Sequence, residues 1–375
     1  MIRTMAPSVG RHGDVTRAVV AHGLPGTMLD LPGAPLADRE WLTLMGEVRT
    51  GRLSGLLWQA VASGRLPVTA QQAEQAEWLH VKALAAALVL ERLVVEVVPT
   101  LELAGVPTRV LKGTAVAHLD YQDPSLRTFG DVDMLVEGAH FDRAVGILQG
   151  LGYRRTYPQP RPGFDSRFSK GASFHTQDGL EIDLHRTFTM GPYGVRLDLS
   201  RLWERDERFE LGGITISALG AEERFLHSCY HAVLGERLPK LTPLRDVTQL
   251  ALTRTLDLPR LHALIRASRG EPVVARAVRY AWDEFDVADV TALSAWAYTY
   301  RTDPRAAADL ASYGEGSSYT TKSVAALRSL PTWRDRAAFL YALLVPSESY
   351  LTGRHADRLS RLRSGLRSAR ARRGT

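Results

Sequence analysis

One stretch, R-V-L-K-G-T-A-V-A-H-L-D-Y-Q-D-P-S-L-R-T-F-G-D-V-D-M-L-V from Arg109 to Val136, limits what this chain can fold into more than any other. Thr108 to Leu111 is a short β-branched and aliphatic run that stops at Lys112-Gly113-Thr114, and Thr114 to Tyr121 suits a helix. The order is strand, glycine turn, helix start. Gly113 can take a positive φ and lets a ligand approach the backbone. The helix opening at Thr114 would aim free N–H groups and its positive end at an anion, for which phosphate is the natural guest.

The second half predicts a strand, Asp131-Val132-Asp133-Met134-Leu135-Val136. Side chains alternate along a strand, so Asp131 and Asp133 project together while Val132, Met134 and Val136 face a core. Two carboxylates on one edge repel unless a cation lies between them, and a hard divalent ion such as Mg²⁺ is held by one or two carboxylates plus substrate phosphates. A third carboxylate is at hand. Ala172–Thr176 and Leu180–His185 flank the turn Gln177-Asp178-Gly179 and read as a hairpin. Glu181, Asp183 and His185 share one face of its second strand. If that strand lies beside the Asp131 strand, Asp183 joins the cluster.

Gly113-Thr114, then Asp-Val-Asp on a strand, then a lone Asp on a later strand resemble the nucleotidyltransferase superfamily of DNA polymerase β type. More narrowly, L-K-G before the helix, R-T-F-G-D-V-D-M-L-V, a following helix ending L-G-Y, and the later E-I-D-L-H resemble a bacterial family labelled uncharacterised nucleotidyltransferase, from Leu84 to Leu250. The resemblance implies an α+β fold: a small mixed-sheet nucleotidyltransferase core flanked by N-terminal and C-terminal helical regions. It also implies Mg²⁺, with Mn²⁺ as the alternative, held by Asp131, Asp133 and Asp183. An NMP would pass from an NTP to an acceptor hydroxyl with release of pyrophosphate, and Asp183 would take the hydroxyl proton. Nucleotide contacts are expected from Lys112, Gly113 and Thr114, from Arg127 four residues before Asp131, and from Lys170 in the proline-rich loop Tyr157–Gly171, where Arg161 and Arg167 also stand. Because the three carboxylates repel one another in the empty site, neutralising one is expected to be neutral or mildly stabilising.

Composition adds limits. At 375 residues, with 45% hydrophobic and 23% charged, the chain is globular and large enough for more than one core. No apolar run is long enough to span a membrane, and Met1–Gly26 lacks a secretory core, so a cytoplasmic enzyme is expected with no membrane partner. Cys229 is the only cysteine; its neighbours Phe225, Leu226 and Val233 make it a small buried hydrophobe. The net charge of +6 suits a polyanion, but much of it sits in the arginines from Arg354 to Arg373. No G-x-x-x-x-G-K-S/T loop, G-x-G-x-x-G turn or His-Asp dipeptide occurs.

The pattern divides the chain into an irregular leader (1–35), an N-terminal helical region (36–104), the catalytic core (105–217) and a C-terminal helical domain with a basic tail (218–375). Thr69-x-x-Gln72 has the form of a capping box opening a long helix towards Leu103, with Pro99 as a kink or break. Thr242-Pro243 reads as a helix start. His227 and His231 stand one helical turn apart, close enough to share a ligand, with Asp246 on the next helix. The acceptor is expected to be a small molecule. The alternatives are a toxin-like transferase acting on tRNA or protein, with the basic tail as the nucleic-acid contact, and a non-catalytic nucleotide-binding module.

Overall fold

The computed structural model describes residues 12–235, 239–288, 290–314 and 317–354; the arginine-rich tail beyond Arg354 lies outside the described residues. Seven strands form one mixed sheet: β1 (Thr108–Val110), β2 (Val132–Val136), β3 (Arg154–Arg155), β4 (Gly171–His175), β5 (Glu181–His185), β6 (Asp206–Leu211) and β7 (Ile214–Leu219). Their order is β3-β4-β5-β2-β1-β7-β6. Two neighbouring pairs, β2 with β5 and β1 with β7, run parallel. The hairpin β4–β5 closes through the turn expected at Gln177-Asp178-Gly179. The hairpin β6–β7 and the short β3 enlarge the small sheet expected from the sequence.

Strand alternation sorts the two faces. Val132, Met134 and Val136 of β2 and Ile182 and Leu184 of β5 pack into one core with Leu93, Val97 and Leu101 of the helix α4 (Ala70–Leu103) and with Phe141 and Leu148 of α6 (Gly138–Gly150). The numbering follows chain order, after α1 (Asp14–Ala21), α2 (Asp38–Gly51), α3 (Ser54–Ala62) and, between β1 and β2, α5 (Lys112–Asp120). The opposite face carries Asp133, Asp183 and His185 and meets a helical body, to whose core Leu111, Leu135 and Leu219 belong. The carboxylates therefore lie between the sheet and the helices. Thr69 and Gln72 form the capping box expected for α4, and the helix runs unbroken through Pro99. That proline stands in the last two turns, where loss of one i→i−4 bond disrupts least.

Two expectations about the chain's organisation are corrected. Within the expected irregular leader, residues 14–21 form α1, whose Val19 and Val20 are fully buried; Arg17 donates to the Glu284 carbonyl (2.7 Å from Nη2), and Thr27, in the irregular stretch that follows, bridges to Val287. Nor are the two helical regions separate. Val19, Leu44 and Leu57 share one core with Val247, Trp282 and Phe285. Helices of 8, 14 and 9 residues cannot bury their apolar stripes on one another alone, and each fully buried leucine contributes roughly 1.5–3 kcal/mol. The body is completed from both ends of the chain. From Ala221 to Arg354 the described residues are helical apart from turns, as expected. The helix Leu241–Thr253 begins two residues before Pro243, the first helical position that the signal marks, and the Thr242 hydroxyl donates to the Gly51 carbonyl (2.6 Å) instead of capping its own helix.

Candidate active site

β1 ends at Val110, and the Leu111 N–H donates to the Asp133 carbonyl (2.9 Å), which ties the start of the turn to the carboxylate strand. Lys112 follows, and Gly113 then takes φ 32° and ψ −101°. L-residues avoid that region, and a Cβ there would lie 3.2 Å from the Phe129 side chain. Only glycine joins strand to helix at this angle. Thr114 is buried at the mouth of the helix.

The parallel register pairs Asp133 with Asp183 directly. The donor atoms of Asp133, Asp183 and His185 all lie within 4.8 Å of one another. Asp131, just before β2, is half-buried at the rim, with Arg52 Nη1 3.7 Å from its Oδ1. Between the two acids of the Asp-Val-Asp pair stands an ammonium. Lys112 Nζ is 2.7 Å from Asp133 Oδ2 and 3.5 Å from Asp131 Oδ2. Burial disfavours that charge, but Asp133 and Asp131 outweigh it and push the lysine up to about 12. Burial likewise works against the Asp133 carboxylate, and Lys112 with His185 holds it well below the usual carboxylate range.

His185 Nε2 is 2.8 Å from Asp133 Oδ1. Burial, then Lys170, pushes the imidazole below its ordinary value, so at neutral pH Nε2–H donates to the carboxylate and Nδ1 faces inward without a partner. On β5, Asp183 accepts a hydrogen bond from the Ser173 hydroxyl of β4, while Glu181 sits at the far end of the strand opposite His175. Three oxygen-bearing acids on two adjacent strands, one of them oriented by an imidazole, are a donor set suited to a hard divalent cation. The Asp133, Asp183 and His185 donor atoms lie close enough together to hold a metal ion.

Lys170 is half-buried beside this cluster, with no carboxylate at ion-pair distance among the described residues; burial and then Lys112 lower its affinity for a proton. It lines a cleft of about 260 Å³ with Ser173, Asp183, His185, Tyr319 and Tyr350.

Arg127 departs from its expected role. Its guanidinium grips Asp246 through Nε (2.8 Å to Oδ1) and Nη2 (2.8 Å to Oδ2), and the residue is buried. The phosphate contact expected of it is corrected to a buried ion pair that fastens the loop before Asp131 to the helix Leu241–Thr253. Asp120 is likewise engaged by Arg224 (2.7 and 2.9 Å). Arg161 and Arg167 turn away from the site, towards the Val345 carbonyl and Asp335. His227 is buried against Phe188, with ring centroids 4.5 Å apart, and both His227 and His231 are held neutral, by burial first. Cys229 is fully buried, as expected.

Neither Arg52, which the turn between α2 and α3 lays across Gly130, nor Ser173 as the partner of Asp183 carries a local signal in the sequence. No helix among the described residues is long and apolar enough to cross a membrane.

No curated protein matches the chain. Among solved structures, the antibiotic-resistance factor ANT(2'')-Ia is similar at 14% identity and a TM-score of 0.34, over 51% of this chain and 96% of that one. An antigenic nucleotidyltransferase-like protein from Paracoccidioides brasiliensis is similar at 14% identity and a TM-score of 0.32, over 51% and 92%. The model of the uncharacterised nucleotidyltransferase family matches residues 37–285, a span that includes the whole sheet, part of each helical flank and every acid of the cluster, and the chain belongs to that family of nucleotidyltransferases.

Proposed function

We propose that the protein moves an NMP from an NTP to the hydroxyl of a small acceptor, with Asp131, Asp133 and Asp183 holding Mg²⁺ or Mn²⁺. The observation that carries this reading is the register of β2 on β5, which sets Asp183 level with Asp133 at the end of the sheet where the Gly113 turn opens. When bound, the cation offsets charge on the reacting phosphates and stabilises the attacking and leaving oxygens. Gly113 and Thr114 receive the β- and γ-phosphates at the helix mouth. Lys170, beside the cluster with no carboxylate at ion-pair distance among the described residues, adds charge to the same group. Asp183 takes the acceptor proton as the new O–Pα bond forms and the bond from Pα to the bridging oxygen breaks, releasing pyrophosphate. His185 keeps Asp133 in one orientation throughout.

The partly open cleft beside Asp183, only about 260 Å³ in volume, favours a small acceptor over tRNA or a protein. A cytoplasmic setting, where nucleoside triphosphates are available, suits the reading. The test is incubation of the purified protein with each α-labelled NTP, Mg²⁺ and cell extract, separated by size. Label in a small product that is lost with chelator is the expected result. Label only in RNA or protein would move the acceptor to the toxin-like class, and no transfer with any NTP would leave a binding module.

A further inference from the structure

Both oxygens of Asp133 are engaged, Oδ1 by His185 Nε2 at 2.8 Å and Oδ2 by Lys112 Nζ at 2.7 Å. Each carboxylate oxygen keeps a second lone pair, so a cation can bind Asp133 with His185 in place, but one lodged between Asp133 and Asp131 takes the position of the ammonium. His185 is 1% exposed and fixed on β5, so moving its ring means moving a central strand. Lys112 is free in the way His185 is not. Its ammonium hangs on four rotatable carbons, and it stands next to the glycine turn at the end of a three-residue strand. The same ammonium touches the Oδ2 of Asp131 as well, so it fills the gap that a bridging cation would take.

We propose that Lys112 is a built-in stand-in for the metal. In the empty protein it neutralises Asp131 and Asp133. When a divalent ion enters, it leaves the carboxylates and swings to the mouth of α5, where the phosphates of the incoming NTP receive it. The inference rests on the metal reading above and adds an order to it. Metal alone binds weakly because it must evict an ammonium that has no second partner, whereas metal with NTP supplies that partner. One lysine thus couples metal binding to nucleotide binding and protects the buried acids from repulsion between turnovers.

The test uses Mn²⁺ alone, titrated by calorimetry into the full chain at fixed ionic strength. Lys112→Met should bind Mn²⁺ at least about tenfold more tightly than wild type, because a unit positive charge a few ångströms from the site is gone. The same variant should bind a non-hydrolysable NTP with saturating Mg²⁺ about tenfold more weakly, the size expected for loss of one charge-assisted contact. Opposite signs in the two titrations are what a merely structural lysine does not produce. Lys112→Arg, which keeps the charge, should keep the weak Mn²⁺ binding.

Should Lys112→Met fail to fold without metal, the wild type answers alone. Amine labelling read by mass spectrometry should find Lys112 protected in chelator and reactive in Mn²⁺, with Lys82 unchanged. Equal or weaker Mn²⁺ binding by a folded Lys112→Met, or labelling of Lys112 indifferent to bound Mn²⁺, overturns the inference and leaves the metal reading standing. No Mn²⁺ uptake by either protein, with or without the NTP analogue, overturns both.

Discussion

Replacing Arg127 by methionine separates a phosphate ligand from a structural one. In the structure the Arg127 and Asp246 side chains are 7% and 2% exposed, joined by Nε–Oδ1 and Nη2–Oδ2 contacts of 2.8 Å each. Methionine fills much of the volume but leaves a buried carboxylate whose remaining donor among the described residues is the Tyr121 hydroxyl at 3.0 Å. Removing one partner of such a pair costs about 3–5 kcal/mol, because the other charge stays desolvated and uncompensated. Removing both, as in Arg127→Met with Asp246→Leu, should recover most of the loss. Urea titration followed by tryptophan fluorescence reads the stability of the three proteins. NTP affinity measured well below the melting temperature should stay within about twofold of wild type, since a difference of that size is under 0.5 kcal/mol. A loss of less than about 1 kcal/mol in Arg127→Met, the range of an exposed pair, would refute the structural role. Lost NTP binding with stability intact would restore the phosphate role.

Asp131→Asn, Asp133→Asn and Asp183→Asn should each abolish transfer of an α-labelled NMP while Glu181→Gln retains it. Full activity in Asp183→Asn with loss in Glu181→Gln would reassign the third acid. Their stabilities should also split, against the sequence-based expectation of neutral or stabilising changes: Asp133→Asn strands the buried Lys112 ammonium and should lower the melting temperature in chelator, whereas Asp183→Asn should not. Gly113→Ala should cost about 1–3 kcal/mol through its strained φ, and should weaken NTP binding as the turn shifts off Phe129; a normal melt with normal affinity would remove the turn from the site. His227 is 3% exposed and held neutral, by burial and then by His185 and Lys112, so below pH 6.5 the unfolded chain binds a proton that the folded chain refuses. Stability should then fall as pH drops from about 6.5, by about 1.4 kcal/mol per unit for each such histidine, and His227→Phe should flatten the slope; a slope unchanged in that variant would count against it.

The acids were legible because their signal is local. A period of two along Asp131–Val136 and a hairpin turn at Gln177-Asp178-Gly179 are enough to bring three carboxylates to one face. The choice of Asp183 over Glu181 came from the resemblance and not from the local pattern, since both share that face and only the pairing register sets Asp183 opposite Asp133. Arg127 was misread for the same reason. Its partner lies 119 residues away, and an arginine before an acidic strand looks alike whether it awaits a phosphate or a helix. Lys112 was placed at the site from its position beside the glycine, but the cation wanted between Asp131 and Asp133 was sought outside the chain when the chain already contained one. In α1, the Gly- and Pro-rich surroundings masked eight helical residues whose apolar side meets helices more than 200 positions later.

That last arrangement governs how the molecule comes to be made. Arg17 reaches the carbonyl of Glu284 across 267 positions, and Arg245 holds the His22 carbonyl across 223. Helix α3 can pack on α4 soon after both are made, but the part of the core contributed by Val247, Trp282 and Phe285 is synthesised only after the entire sheet. At 5–20 residues per second, that interval is on the order of ten seconds or more. During it α1 lacks its contacts with the helix Leu241–Thr253, while α3 and α4 already hold what they need to collapse together. The helical body is expected to close last, and the apolar side of α1 is where a chaperone has most to shield.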